Sequence, residues 1–220
     1  MIANQQFISG EWYENEYRSK WYRHQYIDSE YPQWAKEADQ YGVRFMAMCS
    51  GIPLSAKILD LGSGVGRIMQ TWRESGFKDV WGIEISWEAC MASGDPRICN
   101  RSVQDLSIFK DNTFDLVSSF ALLEHIDESI LDEVISEISR VGVKQAHFIA
   151  HEAGSDPSHI NIKTANEWMD VFSRINKKLH VFCITNPLIE KAPLYLLMPE
   201  GMLTEPIKHR LKTVVSNAKS

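Results

Sequence analysis

The sequence lacks the marks of several protein classes. None of its four cysteines stands in a Cys-x-x-Cys pair, which argues against a structural zinc site or a dithiol redox motif. No apolar stretch approaches the length of a membrane span, and the N-terminal segment has no basic region followed by an apolar core. Lysine and arginine form no runs, and the net charge of -6 argues against a nucleic-acid partner. These features predict a cytoplasmic protein with reduced thiols and without a membrane partner.

Hydrophobic and aromatic residues are plentiful and unevenly placed. The 220 residues are 44% hydrophobic, enough for one sizeable core. Aromatic side chains cluster before residue 35, in a segment that is otherwise polar. We therefore expect residues 1–45 to form an aromatic-rich helical cap and residues 46–220 to form the main domain. Two amphipathic helices packed on the domain edge would explain the same cluster.

Apolar runs typical of strands alternate with helical patterns after residue 56. The strand-like runs are 57–61, 79–85, 98–103, 114–120, 145–150, 179–185 and 193–199, and the helical patterns are 66–75, 86–93, 128–140 and 164–175. Short alternating units predict an α/β fold with a parallel sheet and helices on both faces. Ligands of such sheets bind beyond the carboxyl ends of the strands, so functional residues should follow each strand.

The stretch ILDLGSGVGR (58–67) places a glycine-rich turn directly after the first strand. A phosphate loop of the NTPase type needs Lys followed by Ser or Thr after its last glycine, and here Arg67 follows Gly66. A dinucleotide fold needs Gly-x-Gly-x-x-Gly, which is one residue longer than the spacing here. The turn therefore predicts a close approach of a ligand that is neither of these.

Acidic residues stand at the ends of the first three strands. Asp60 precedes the glycines, where it would repel a pyrophosphate and suit a cationic ammonium group. Glu84 ends the second strand, where a carboxylate can accept both hydroxyls of a ribose. Asp105 could accept a hydrogen bond from an adenine amino group, and the Leu106 amide could donate to the ring. Adenine, a ribose diol and an ammonium without phosphate describe S-adenosylmethionine.

With ILDLGSGVGR, WGIEIS, QDL and FDLVSSFALLEHID in this order, the chain resembles the class I S-adenosylmethionine-dependent methyltransferases of the type 11-like group. The resemblance implies a Rossmann-like fold with a seven-stranded, mostly parallel sheet and an antiparallel last strand near 193–199. It also implies that residues 46–220 bind S-adenosylmethionine. The residues it assigns to cofactor binding are Asp60, Gly62, Ser63, Gly64, Gly66, Glu84, Ile85, Gln104, Asp105, Leu106, Phe120 and Ala121.

Candidates for acceptor chemistry follow the fourth and fifth strands. An oxygen acceptor must lose its proton, and His159 near Asp156 is our candidate for a general base with an orienting carboxylate. Asp156-Pro-Ser-His159 before a helix with Trp168 is similar to a stretch in glycan and antibiotic-sugar pathway methyltransferases. The alternative for His159 is a hydrogen bond that fixes its loop. The spacing of these groups fits no closed metal site, so we predict no metal.

Residues of the main domain and of the N-terminal aromatic segment should together form the acceptor pocket. We expect His125 and His151 to contribute to it, together with Tyr17, Trp21 and Tyr22 of the aromatic segment, which would exclude water from the cleft. A structural role for His125, supporting the cofactor pocket and the following helix, is the alternative.

The predicted function is methyl transfer to an oxygen of a small molecule, most specifically a sugar or nucleotide-sugar. DNA amino-methylation is disfavoured because SSFALLEH stands where such enzymes carry an Asn/Asp-Pro-Pro-aromatic motif. Methylation of a nitrogen in a metabolite or a protein is one alternative. A partner subunit that binds the cofactor without catalysis is another. The oligomeric state is left open.

Overall fold

The computed structural model describes residues 31–152, 158–185 and 192–202, together with Asn15. The first helix, α1 (Gln33–Ser50), ends at Gly51, whose left-handed backbone (φ 60°) lets its N–H donate to the carbonyl of Ala47. This helix runs across residue 45, where we predicted the cap to end, and its second half lies in the core. The remainder of the predicted cap falls outside the described residues.

Strands and helices alternate along the described chain after α1, as the sequence predicts. They are β1 (Lys57–Leu61), α2 (Arg67–Glu74), β2 (Asp79–Glu84), α3 (Trp87–Ser93), β3 (Ile98–Asn100), β4 (Phe114–Phe120), α4 (Glu128–Val141), β5 (Gly142–Phe148), α5 (Ala165–Ile175), β6 (Leu179–Ile184) and β7 (Leu194–Pro199). Short 3-10 helices lie at Leu123–His125 and Glu200–Met202. Among the helices in these ranges, none has the length and apolar character to cross a membrane.

The strands form one sheet in the order β3-β2-β1-β4-β5-β7-β6. The pairs from β3 to β5 are parallel, whereas β7 is antiparallel to both β5 and β6. This confirms the predicted fold and its antiparallel last strand. Because β1 and β4 lie side by side at the centre, where the chain switches direction across the sheet, a crevice opens beyond their carboxyl ends.

Helices cover both faces of the sheet. On one face α1 and α2 bury Met46 and Trp72 against Ile58 of β1. On the other face α4 and α5 bury Trp168 against Leu59 of the same strand. Successive strand residues point to opposite faces, so β1 contributes to both cores, and its buried pattern is continuous rather than alternating. Trp168, which the sequence placed beside the acceptor loop, is a fully buried core residue.

Two strands differ from the predicted ranges by more than one residue. β3 ends at Asn100 rather than near residue 103, and the Asn100 side chain donates to the carbonyls of Glu84 and Ile85. β5 begins at Gly142, directly after α4, rather than at residue 145. A Cβ at Gly142 would lie 2.4 Å from Cγ2 of Val117, so only glycine allows this close start of the strand.

Candidate functional site

A cavity of about 390 Å³ opens beyond the carboxyl ends of β1, β2 and β4. Its wall combines the glycine turn after β1, the end of β2, the turn after β3 and the residues that follow β4. The cavity therefore lies where the parallel sheet predicts a ligand site. Of the residues that we assigned to the cofactor, these line it: Gly62, Ser63, Gly64, Glu84, Ile85, Phe120 and Ala121.

The glycine turn brings backbone close to the cavity. Gly62, Gly64 and Gly66 all have left-handed backbones, with φ of 64°, 54° and 85°. A Cβ at Gly62 would lie 2.9 Å from Cδ1 of Leu122, which packs over the turn from the segment after β4. Side chains at these positions would strain the backbone and, at Gly62, also crowd the cavity wall. The turn is thus a cradle that only glycine leaves open.

Glu84 connects the glycine turn to the end of β2. One of its carboxylate oxygens accepts from the N–H of Ser86 and the other from the N–H of Gly64, each at 2.8 Å. The side chain is buried to 5% exposure and still lines the cavity. Each carboxylate oxygen can accept more than one hydrogen bond, so Glu84 can hold the turn and receive ribose hydroxyls together.

Two further acids lie beside the cavity. Burial raises the pKa of Asp60 well above its usual range, the charges of Asp39 and Glu84 raise it further, and a hydrogen bond from Ser118 opposes the rise. Burial also raises the pKa of Asp39. Like charges held close together are relieved by a bound cation. These acidic side chains therefore fit a ligand that carries an ammonium and a sulfonium group, as S-adenosylmethionine does.

One part of the cavity wall was missed by the sequence reasoning. Tyr31 and Asp39, at the start of the described chain and on α1, line the cavity together with Arg67 of α2. The Arg67 guanidinium lies 4.0 Å from the centre of the Tyr31 ring, and a hydrogen bond from Tyr31 opposes the rise in the Asp39 pKa. Arg67 follows the last glycine and could have been found from that position. Nothing local marks Tyr31 or Asp39, because the packing of α1 on α2 brings them there.

The turn after β3 presents different residues from those assigned to the adenine edge. Arg101, Ser102 and Val103 line the cavity. The side-chain amide of Gln104 donates to the Glu133 carboxylate at 2.6 Å, and the backbone N–H of Leu106 donates to the Glu137 carboxylate at 3.1 Å. Asp105 is exposed and accepts from Arg101 at 2.7 Å, and its hydrogen bonds with Ser107 lower its pKa. Adenine contacts by Gln104, Asp105 and Leu106 stay a prediction.

Two histidines stand on the other side of the cavity. His125 follows β4, is buried, and its Nδ1 lies 2.8 Å from the hydroxyl and 3.1 Å from the carbonyl of Ser158. The His159 ring packs edge-on against it with centroids 4.7 Å apart, and both rings line the cavity. Tertiary packing thus brings two residues from separate loops to one wall, where they could meet an acceptor.

The other predicted acceptor residues lie elsewhere or outside the described ranges. His151 is directed to Tyr195, whose hydroxyl is 2.5 Å from its Nε2, and burial lowers the His151 pKa. Asp60 and Gly66 stand behind the cavity wall rather than in it. Four of the predicted acceptor-side and base-orienting residues fall in segments that the structure does not describe: Tyr17, Trp21, Tyr22 and Asp156.

Residues 59–150 match the family model described as a methyltransferase domain. This range holds the glycine turn, Glu84 and the segment after β4 that carries His125. A search of curated proteins finds no match to the chain. The family model therefore covers the cofactor side of the cavity and ends before the loop that carries His159.

Solved structures of low sequence identity share the fold. Magnesium protoporphyrin IX methyltransferase of Synechocystis, solved with bound S-adenosylmethionine, has a TM-score of 0.66 at 12% identity and covers 90% of this chain and 100% of its own. A 1,6-didemethyltoxoflavin N1-methyltransferase of Burkholderia thailandensis has a TM-score of 0.60 at 16% identity, with 90% and 96% covered. A protein from an antibiotic biosynthesis pathway of Anabaena variabilis has a TM-score of 0.54 at 14% identity over 64% of this chain, which spans 63% of that protein. The family model and the fold together confirm the class I methyltransferase resemblance and the cofactor.

Proposed function

Since the chain is an S-adenosylmethionine-dependent methyltransferase, we propose that it methylates an oxygen of a small molecule, specifically a hydroxyl of a sugar or nucleotide-sugar. One observation carries the proposal: His159 lies in the wall of the same cavity as Gly64 and Glu84. A base beside the cofactor site is what a hydroxyl acceptor needs, because its proton must leave as the oxygen attacks.

The chain's own residues divide the work of holding the cofactor. S-adenosylmethionine supplies, when bound, a methyl group on a positively charged sulfur. Glu84 accepts the ribose hydroxyls while it keeps the Gly64 amide in place. Burial disfavours the ionised forms of Asp60 and Asp39, and the cationic end of the ligand would favour them, so the two acids and the ligand would stabilise each other. Phe120 and Ala121 pack beside the methyl-bearing end, and Ile85 packs on the adenine. Gln104, Asp105 and Leu106 are proposed to reach the adenine edge.

His159 accepts the proton of the acceptor hydroxyl in this proposal. The Glu152 carbonyl lies 3.2 Å from its Nδ1, and a carbonyl can only accept, so Nδ1 carries the proton and Nε2 has the lone pair. Asp156, three residues earlier, is proposed to orient the same ring. His125 and, from the aromatic segment, Tyr17, Trp21 and Tyr22 are proposed to contact the acceptor, whereas the His151 ring faces Tyr195.

The acceptor class rests on two kinds of support. Both the porphyrin and the toxoflavin methyltransferase are named for small-molecule acceptors, which favours a small molecule here as well. The narrower choice of a sugar rests on the stretch Asp156-Pro-Ser-His159, which is similar to sugar-pathway enzymes.

The test is a transfer assay with methyl-labelled S-adenosylmethionine against sugars, nucleotide-sugars and, in parallel, small amines. We expect label in a hydroxylated acceptor, and we expect His159→Ala to lower kcat by about 100-fold, the usual contribution of a general base. The affinity for the cofactor should stay unchanged. The control is His180→Ala, which removes an exposed histidine of the edge strand β6.

Two results would contradict the proposal. Transfer to amines alone would replace the oxygen acceptor with a nitrogen acceptor, since a neutral amine needs no base. Equal kcat values for His159→Ala and His180→Ala with a hydroxyl acceptor would remove His159 from the reaction.

A further inference from the structure

We propose that Glu124, His125 and His159 bind one divalent transition-metal cation in the wall of the cavity. One ligand atom from each of the three lies within 4.8 Å of the others. Ligands of a tetrahedral site, each about 2.1 Å from the metal, are about 3.4 Å apart. His159 is partly exposed, so a small movement of its ring closes the difference.

The fold holds two of the three ligands in fixed positions. Glu124 and His125 are neighbours in the 3-10 helix after β4, and both are buried. One carboxylate oxygen of Glu124 accepts from the N–H of Ala150 at 3.0 Å, which fixes the side chain against the end of β5. The Asn161 N–H donates to the Glu124 carbonyl at 2.9 Å, and this bond ties the His159 segment to the same helix.

Both imidazoles are oriented as metal ligands are. The Nδ1 of His125 faces the carbonyl of Ser158 at 3.1 Å, and the Nδ1 of His159 faces that of Glu152 at 3.2 Å. A backbone carbonyl only accepts, so the His159 ring carries its proton on Nδ1 and a lone pair on Nε2. The His125 ring is held at Nδ1 by both the carbonyl and the hydroxyl of Ser158, the latter at 2.8 Å. A hydrogen bond from the second ring nitrogen to a carbonyl is the common outer shell of histidine ligands.

Burial and chemistry indicate the kind of ion. Glu124 is fully buried, and a bound cation would favour the ionised form of a buried carboxyl group. Two imidazoles and one carboxylate suit Zn²⁺, Mn²⁺ or Fe²⁺, whereas Mg²⁺ and Ca²⁺ prefer oxygen ligands alone. Three protein ligands leave a coordination position for a small molecule from the cavity.

The role of the ion rests on the proposed function, although its binding does not. The acceptor hydroxyl would coordinate the ion, which lowers the pKa of that hydroxyl so that its proton passes to water. The oxygen then forms a bond to the methyl carbon while the carbon–sulfur bond breaks, and the electron pair of that bond stays on the sulfur. When the ion is bound, Nε2 of His159 is a ligand, and the ion takes the part that the proposed function gives to His159; without the ion, His159 is the base.

The ion can be measured without any acceptor or cofactor. Protein treated with EDTA and then dialysed is titrated with ZnCl₂ by calorimetry, and with CoCl₂ by visible absorption, which reports nitrogen and carboxylate coordination. We expect one equivalent of Zn²⁺ to bind, and His159→Gln to weaken binding by about 10- to 100-fold, the usual loss on removing a ligand or its partner. Glu124→Gln should weaken Zn²⁺ binding to a similar degree. Because Glu124 is buried and His159 is partly exposed, His159→Gln is the variant that disturbs the fold less.

The matched control is His180→Gln, because His180 also lies beside a carboxylate, with Glu200 3.8 Å away. It should bind Zn²⁺ as the wild type does. Absence of stoichiometric binding, or equal weakening by both variants, overturns the site. Methyl transfer to a hydroxyl that EDTA leaves unchanged overturns the role of the ion in the reaction and leaves His159 as the base. Tight Zn²⁺ binding without transfer to any hydroxyl supports the site and overturns the proposed function instead.

Discussion

At the scale of single residues, Glu84 has two tasks. Its carboxylate accepts from the backbone N–H groups of Gly64 and Ser86, and it faces the cavity where we propose that the ribose binds. The structural and binding roles depend on the same two oxygen atoms. A change in charge at this position should therefore affect the ligand and the glycine turn together.

We expect Glu84→Gln to raise the Kd for S-adenosylmethionine by roughly 10- to 100-fold, the equivalent of one lost hydrogen bond to a charged group. Glutamine keeps one acceptor oxygen and places an amide against an N–H. Calorimetry measures the Kd, and Glu74→Gln is the control because Glu74 is exposed on α2 and accepts a hydrogen bond from Gln70 of the same helix. An unchanged Kd in Glu84→Gln would contradict the assigned role.

Gly62 offers a second test, with Gly94 as its matched control. Both have φ near 60°, but a Cβ at Gly94 would meet nothing within 4 Å, whereas at Gly62 it meets Leu122 in the cavity wall. Both alanine variants should lose about 1–2 kcal/mol of stability through backbone strain. Only Gly62→Ala should also weaken cofactor binding, which urea unfolding and calorimetry together would show. A similar loss of cofactor affinity in both variants would mean that general strain causes it.

At the scale of elements, α5 shows how a local signal places a core helix. Thr164 caps its first turn, and the Glu167 carboxylate accepts from the Thr164 N–H at 2.7 Å, which completes a capping box. The cap fixes where the helix begins and thereby which residues face inward. Trp168 and Phe172, four residues apart, then lie on one buried face.

We expect Thr164→Ala to lower the free energy of unfolding by about 1 kcal/mol, the usual loss of an N-cap. Hydrogen bonds from Thr164 lower the pKa of Glu167, so the stabilisation by this pair is present above the unfolded pKa and fades as the pH falls through the lowered value. Urea unfolding at pH 7 and pH 4 measures both effects. Thr113→Ala, in the loop before β4, is the control and should change the stability less.

At the scale of the whole molecule, the sheet contains a buried histidine that stays neutral near pH 7. His147 is fully buried in β5, its Nδ1 lies 2.9 Å from the Ser119 hydroxyl, and its ring stacks on Phe172. Burial lowers its pKa to about 3. Protonation of this ring is therefore coupled to unfolding of the domain.

The sign of the pH dependence follows from the two pKa values. An unfolded histidine binds its proton below about pH 6.5, while the folded one does so only near pH 3. The stabilisation is complete above the unfolded value and is lost as the pH falls between the two. At pH 5 we expect a loss of about 2 kcal/mol relative to pH 7.5. Urea unfolding midpoints at both pH values measure this loss of stability. His147→Gln should lose less stability between pH 7.5 and pH 5 than His180→Gln, because only His147→Gln lacks the buried imidazole.

The sequence by itself determined the features that depend on neighbouring residues. Strand and helix order, the glycine turn, the acid at the end of β2 and the Thr164 cap are all local patterns, since hydrophobic periodicity and backbone preferences act over a few residues. The family resemblance used these same positions. The cofactor side of the cavity could be predicted for that reason.

Only the tertiary structure decided which residues share the cavity wall. β3 ends at Asn100, so the chain turns earlier than its apolar pattern predicts, and Arg101–Val103 rather than Asp105 line the cavity. Asp39 reaches the site because α1 packs on α2. His159 reaches Glu124 because the segment before α5 packs on the 3-10 helix that follows β4. Contacts between residues far apart in the chain depend on packing of whole elements, which no short stretch of sequence records.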